Sequence, residues 1–526
     1  MTMTATRPID PDTLTLDGVR AGALRGRPVT VLGFARSGIA LARFLADAGA
    51  AVTIYDGRPA SELTAAVDAL GGRSVRLRLG PGFDPTETWT DADLVTSSPS
   101  INPDFPTTEP RLRAALGELI RRRASGDRRA PAVVWEADLF LRLCPSPTVG
   151  ITGTKGKTTT AALSHAILAA DPVHRAVLGG NMGSPIVERL PELRADDRVV
   201  YELSELQLPT LSRGTTVAVY TNVTSDHLDR HADLAAYRRV KRRLAELVDP
   251  DGALVLNADD PVVAALAGLG TAPSVLYRLD RPMPGGVGVV DGWIVGAGVQ
   301  RLPLAGGGAA TTGPAGRIMP VGELSIPGRH NVSNALAAVA TGLLFGVAPD
   351  AIRRAASTFS GVEHRLETVG VIDGIRYVND SQGTQPDAVI AAVRAFERPV
   401  VLIAGGRDKG IDLSALAADV AARVDAAVLI GESAPLLERL FGAAGLRAIE
   451  RAPTLEAAVE RATALARRLA DEAGDTAPSS IDRLSDARAT VLLSPAAASF
   501  DMFADYEARG RAFKAAVRSL PAGAKG

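Results

Sequence analysis

Between Thr148 and Ala170 the chain reads TVGITGTKGKTTTAALSHAILAA: a β-branched run, a glycine turn and a helical pattern, in that order. No other stretch constrains the fold as much. Val149 and Ile151 suit a buried strand, while Gly150, Gly153 and Gly156 let the backbone turn tightly and approach a ligand where a Cβ would obstruct. Ala161, Ala162, Leu163, Ala166 and Ile167 then recur at helical spacing. Such a turn aims a row of backbone N–H groups from a helix N-terminus, where phosphates are held by hydrogen bonds and by the helix dipole. Ile151 stands where the strict nucleotide loop has its first glycine, so the loop is a variant, GxxGTxGKT. Gly153, Thr154, Lys155, Gly156, Lys157, Thr158 and Thr159 are its nucleotide-facing residues; Lys157 would reach the terminal phosphates, and the Thr158 hydroxyl would ligate Mg²⁺.

A chain of 526 residues accommodates three domains at roughly 100 to 200 residues each. Its 58 basic and 59 acidic residues leave a net charge of −1, so no general field attracts nucleic acid or a membrane, and a phosphorylated small molecule must be bound locally. Cys144 is the only cysteine, which excludes a disulfide framework and thiolate metal clusters and fits a reducing compartment. The first residues lack the apolar core of a signal peptide, and no apolar run approaches about 18 residues. A cytoplasmic, monomeric protein is expected.

A first unit, RPVTVLGFARSGIALARFLADAGAAVTIYDGR, has the strand–turn–helix–strand order of a Rossmann-like fold. Ala35 replaces the middle glycine of the dinucleotide fingerprint. The loop therefore reads as a nicotinamide site, as plain helix–strand packing, or as a seat for a nucleotide-linked substrate near Asp56, Gly57 and Arg58. After a Ser/Pro loop containing Ser100, the basic stretch RRRASGDRRAP shows no apolar period and reads as a solvated insertion, which ends the first domain at residue 132. In the second domain, residues 133–361, VVYEL places Glu202 at a strand end, as a magnesium ligand or a surface acid. AVYTNVTSDHLDRH clusters Asn222, Asp226, His227 and Asp229; His227 alone could as well be a packed or capping histidine. On the following helix Lys241 lies beside an apolar stripe of Tyr237, Val240, Leu244 and Leu247, among solvated arginines. Residues 280–320 suggest a small β excursion, and Asn331 and Asn334 share one side of a helix start. The third domain, from residue 362, alternates strands and helices, with polar loops at Asp380–Gln385, Gly405–Lys409 and Ser494–Ser499. The fold class is α/β: a Rossmann-like domain, a central phosphate-loop domain with a parallel sheet, and a Rossmann-like C-terminal domain.

GITGTKGKTTT, GGNMGSP, ELSELQL, TNVTSDHLDRH with YRRVK, GRHNVSNALAA, EHRLE, VNDSQGTQ, GGRDKG and LLSPAAASFDMFADYEARG together resemble the Mur ligases, the ATP-dependent amide-forming enzymes of peptidoglycan synthesis. The resemblance covers nearly the whole chain and implies ADP-forming ligation through an acyl phosphate, with ATP and two Mg²⁺ ions. It assigns catalysis to Lys157, His227 and Lys241, the last carbamylated. Thr158, Glu202, His227 and Lys241 would hold metal, and Asn331, Asn334, Arg365 and Asp380 would join the loop at ATP. Arg36, Ser37, Asp56, Gly57, Arg58, Ser100, Asn181 and His227 would face a UDP-sugar. The short VNDSQGTQ and LLSPAAAS motifs point to the glutamate-adding branch, with UDP-N-acetylmuramoyl-L-alanine and D-glutamate as substrates and Thr384, Lys409, Ser499 and Phe500 around the amino acid. L-glutamate or another acceptor is the alternative within the family. The chain departs from the family's usual spelling at Lys155, Ser100, Glu205 and Gln382; Gln382 removes a cation from the amino-acid loop. A nicotinamide oxidoreductase, the rival from another class, has Ala35 and the second phosphate loop against it. An ATP-switched binding module has His227, Lys241 and Lys409 against it.

Overall fold

The computed structural model describes residues 8–180, 185–223, 234–326, 328–408, 413–473 and 487–520. The chain divides into two compact units, one formed by Met1–Leu324 with Gly328–Phe359 and the other by Ser325–Pro327 with Ser360–Gly526. Asn181, His227 and Lys409 lie outside the described residues.

The first unit holds two sheets. In the first, β1 (Pro28–Leu32), β2 (Ala51–Asp56), β3 (Arg76–Leu79), β4 (Leu94–Ser97) and β5 (Ala132–Trp135) are all parallel, in the order β3-β2-β1-β4-β5. β5 pairs Val133 with Val95, so this sheet runs past residue 132, where composition alone placed a boundary. The basic stretch before it is partly helical. The helix Pro110–Ala124 buries Leu112, Leu116 and Leu119, and its last turn carries Arg121, Arg122 and Arg123, where cations favour the negative end of the helix dipole.

The second sheet contains β6 (Thr148–Thr152), β7 (Ala176–Gly180), β8 (Arg198–Glu202), β9 (Val217–Tyr220), β10 (Ala253–Asn257), β11 (Ser274–Tyr277), β12 (Val287–Val290), β13 (Trp293–Gly296) and β14 (Arg317–Pro320). Their order is β14-β13-β12-β11-β10-β9-β6-β8-β7. The strands from β7 to β12 pair in parallel, and β12, β13 and β14 extend the sheet antiparallel, which is the β excursion expected over residues 280–320. β6, β8, β9 and β10 are buried along their whole length, which is why their middles are apolar, with polar residues such as Thr152, Arg198 and Glu202 only at strand ends. β6 lies between β8 and β9, and its register sets Ile151 beside Glu202 and Thr152 beside Tyr220.

The second unit has one sheet of β15 (Glu367–Ile372), β16 (Ile375–Asn379), β17 (Val400–Gly405), β18 (Ala426–Ile430), β19 (Ala448–Arg451) and β20 (Ala489–Leu493), ordered β15-β16-β20-β17-β18-β19. Only β15 runs antiparallel to its neighbour among these described strands. Apolar clusters lie on both faces of this sheet. Among the described residues no helix is long and apolar enough to cross a membrane.

Candidate active site

The phosphate loop joins β6 to the helix Lys157–Ala169, and Gly156 caps that helix in the left-handed region at φ 84°. A Cβ on Gly153, at φ 146°, would sit 2.0 Å from Thr221 Oγ1, so only glycine fits. The loop is fastened to the end of β9. The backbone N–H of Thr154 donates to Asn222 O at 2.7 Å, and the Lys155 N–H donates to Asn222 Oδ1 at 2.9 Å. Lys155 O in turn accepts from Thr221 Oγ1 at 2.6 Å and from Asn222 Nδ2 at 2.9 Å. Asn222 thus holds the loop with both ends of its amide. Lys157 Nζ arches back to the carbonyls of Gly153 and Thr154 at 3.0 and 2.9 Å, and the Lys155 side chain is exposed. On the far side of the loop Asn334 accepts from Thr160 Oγ1 at 3.3 Å and donates to Asn331 Oδ1 at 3.2 Å, so the two predicted amides do meet.

Lys241 is 1% exposed. Its Nζ donates to Gly153 O at 3.1 Å and to Thr152 Oγ1 at 3.3 Å, with the Tyr237 ring centroid 5.4 Å away. Tyr237 itself hydrogen-bonds Thr154 Oγ1 at 3.0 Å. The stripe that looks like packing in the sequence therefore delivers a lysine to the base of the phosphate loop, while Arg238, Arg239 and Arg242 stay exposed. Thr158 and Glu202 are both buried, one at the helix start and the other at the end of the strand next to β6. A hydroxyl and a carboxylate are hard oxygen donors, the chemistry Mg²⁺ requires.

Two adjoining cavities collect the predicted nucleotide-sugar residues. The larger, about 610 Å³, is lined by Asp56, Gly57, Arg58 and Ser100 together with Tyr55 and Thr107. Asp56 is not free for a ligand. Its carboxylate accepts from Phe34 N at 2.8 Å and pairs with Arg58 at 2.8 Å; burial pushes its pKa up, and the bonds from Arg58 and Phe34 outweigh burial and hold it below the usual range. The smaller cavity, about 130 Å³, shares Ser100 and Leu206 with the first and adds Arg36, Ser37, Glu136 and Gln207. Glu136 is a residue that sequence reasoning misses; it opens the helix Glu136–Leu143 and carries no motif signal.

Residues 151–342 match the Mur ligase middle domain, and residues 364–476 match the Mur ligase glutamate ligase domain. Proteins named UDP-N-acetylmuramoylalanine--D-glutamate ligase are similar over nearly the full length. That of Symbiobacterium thermophilum is 37% identical, covering 95% of this chain and 100% of its own. That of Roseiflexus sp. is also 37% identical, covering 94% and 99%. That of Anaeromyxobacter dehalogenans is 38% identical, covering 94% and 98%. The chain belongs to the Mur ligase family.

In the second unit of this Mur ligase, three loops leave the ends of the adjacent strands β16, β20 and β17. They are sewn together by backbone bonds: Ala496 N to Gly383 O at 2.9 Å, Gly405 N to Pro495 O at 2.8 Å and Arg407 N to Ala498 O at 2.9 Å. Thr384 and Ser499 sit on these loops, Ser499 buried and Phe500 64% exposed. Gln382 Oε1 is buried without a hydrogen-bond partner among the described residues. Asp380, on the first loop, has its carboxyl pushed up to about 6 by burial, against a 2.6 Å bond from Ser494 Oγ. Arg365, which forms an antiparallel bridge with Val362, lies in the same unit.

Arg509, at the end of the LLSPAAASFDMFADYEARG motif and given no role by the sequence, explains how these loops stay in place. It is 1% exposed, and its guanidinium donates to Ser381 Oγ at 3.0 Å, to Ser381 O at 2.9 Å and to Ala497 O at 3.3 Å; burial draws its pKa down to about 10. Replacement by methionine strands two buried carbonyls. Arg509→Met is expected to lower stability by about 2–4 kcal/mol in denaturant titration and to raise the KM for the amino acid more than that for ATP. An unchanged midpoint would show that the loops hold without it.

Proposed function

We propose that this chain is an ADP-forming ligase that joins D-glutamate to UDP-N-acetylmuramoyl-L-alanine. A free carboxylate is a poor electrophile. The sugar-linked alanine therefore takes the γ-phosphoryl group of ATP, and the glutamate amine attacks the resulting acyl phosphate, releasing phosphate as the amide forms. What carries the reading is the convergence of Lys157, Thr158, Glu202 and Lys241 on one phosphate loop, in a chain 37% identical over its length to named D-glutamate ligases.

Lys157 would steady the β- and γ-phosphates, with Asn331 and Asn334 at the adenine nucleotide and Arg365 and Asp380 as further ATP contacts. Thr158 and Glu202, with His227 and a carbamylated Lys241, would hold two Mg²⁺ ions. Bound magnesium supplies positive charge against the phosphates. Arg36, Ser37, Asp56, Gly57, Arg58, Ser100 and Asn181 would line the nucleotide sugar, Asp56 by shaping Arg58 rather than by direct contact. Lys409, Thr384 and Ser499 would take the two carboxylates of glutamate, with the Phe500 backbone closing the pocket. A dianionic acceptor needs a fixed cation and several donors, and these loops supply them. We read the chain as a cytoplasmic monomer of three domains, the first ending beyond β5 rather than at 132 and the second ending near 361.

The test is phosphate release with ATP and UDP-N-acetylmuramoyl-L-alanine, comparing D-glutamate, L-glutamate and D-aspartate at equal concentration. Turnover with D-glutamate is expected. Turnover with L-glutamate only would overturn the stereochemistry, and turnover with neither glutamate would overturn the amino-acid assignment.

A further inference from the structure

Glu136 stands out in the smaller cavity of the first unit. It is 3% exposed, and its Oε1 has no hydrogen-bond partner among the described residues. The wall around it is otherwise engaged. Gln207 Oε1 accepts from the Ser204 N–H and hydroxyl, both at 2.9 Å, and Gln207 Nε2 donates to the Tyr201 hydroxyl at 3.3 Å. Burial pushes the Glu136 carboxyl up to about 7, against the pull of the Val187 backbone, Arg36, Tyr201 and Gln207. The carboxyl takes bonds from the Val187 backbone, Tyr201 and Gln207, but a buried acid with one oxygen left short of a partner weakens the fold. Such a cost is characteristic of groups that await a ligand.

The neighbouring cavity indicates which ligand. At about 610 Å³ it has room for a nucleoside, and it shares Ser100 and Leu206 with the 130 Å³ space that Arg36 and Glu136 line. A substrate threaded through both sets its diphosphate by Arg36 and its uncharged acylamino sugar portion by Glu136. The amide N–H groups of that portion are hydrogen-bond donors, the complement of an unpaired carboxyl oxygen.

We propose that Glu136 is a positioning residue for the nucleotide-sugar substrate, its free oxygen accepting a hydrogen bond from an amide N–H of the sugar-linked portion. This rests on the ligase reading above. It makes Glu136 specific to one of three substrates, which a role in packing would not.

The experiment uses the full chain with Glu136→Met and Glu136→Gln. Methionine fills the same space without a polar atom, so Glu136→Met is expected to melt no lower than the parent while its KM for UDP-N-acetylmuramoyl-L-alanine rises tenfold or more. KM values for ATP and D-glutamate are expected to stay within about twofold. Glu136→Gln keeps an acceptor oxygen and is expected to bring the nucleotide-sugar KM back to within about threefold. A nucleotide-sugar KM unchanged in Glu136→Met overturns the proposal, as do a lowered melting temperature with all three KM values raised together and a failure of glutamine to restore binding. Phosphate release by the parent chain separates the two readings. If the parent is inactive the ligase reading fails, and calorimetric binding of UDP-N-acetylmuramoyl-L-alanine decides on Glu136: weaker binding by Glu136→Met than by the parent supports it, and equal or absent binding in both overturns it.

Discussion

Lys157→Ala is expected to release phosphate at least about a thousandfold more slowly than the parent chain while unfolding only about 4 to 8 °C lower. The two halves of this expectation have different causes. In the structure Lys157 Nζ touches two loop carbonyls, Gly153 O and Thr154 O, and the side chain is only half-buried. Two such bonds contribute about 1 kcal/mol each to folding. A cation placed at the terminal phosphates acts where charge moves during transfer, and each factor of ten in rate is about 1.4 kcal/mol of barrier. A thousandfold loss is thus about 4 kcal/mol, well above the folding term. Phosphate release and a thermal melt of the same preparation measure both, and activity within tenfold of the parent would remove the loop from the mechanism.

Lys241→Ala is expected to be inactive as well, and to recover in part when short carboxylic acids such as acetate are added. Lys241 is buried at the base of the phosphate loop, 3.1 Å from Gly153 O. If Lys241 helps to hold Mg²⁺ as proposed, an ammonium there would compete with the ion for the same surroundings. The ammonium would first lose one proton; attack of the neutral amine on CO₂ would then form an N–C bond and release a second, leaving a carbamate anion whose oxygens could ligate metal. Truncation to alanine leaves a space in which a small carboxylate restores those oxygens, whereas it cannot restore a cation. Rate against acetate concentration is the measurement, alongside the mass of the parent side chain in a crystal map. No rescue and no added mass would leave Lys241 a plain ammonium.

Lys157 belongs to the part of the candidate site that is legible in the order of residues alone, whereas Lys241 enters only through the resemblance of its motif. A phosphate loop is local: glycines, a lysine and a hydroxyl within ten residues dictate a backbone, and Gly153 and Gly156 take the positive φ values expected of them. Central parallel strands are equally legible, since a strand covered on both faces is apolar through its middle. Edge strands are not. β3 is RLRL with alternating exposure, and β19 ends in exposed Glu450 and Arg451, so neither carries an apolar run. The helix before β5 hides behind its own arginines because the apolar period lies upstream of them.

What the sequence determined by itself was the class of fold, the phosphate loop and, through the spacing of its motifs, the family. Those are properties of contiguous residues, where backbone preference and apolar spacing act over a few positions. Tertiary structure decided what each charged side chain faces. Arg509 meets Ser381 across 128 residues of chain, Lys241 reaches Gly153 across 88, and Glu136 is sealed by segments from both sheets of its unit. A charge is costly or useful according to what covers it, and the cover comes from segments that only the folded chain brings together.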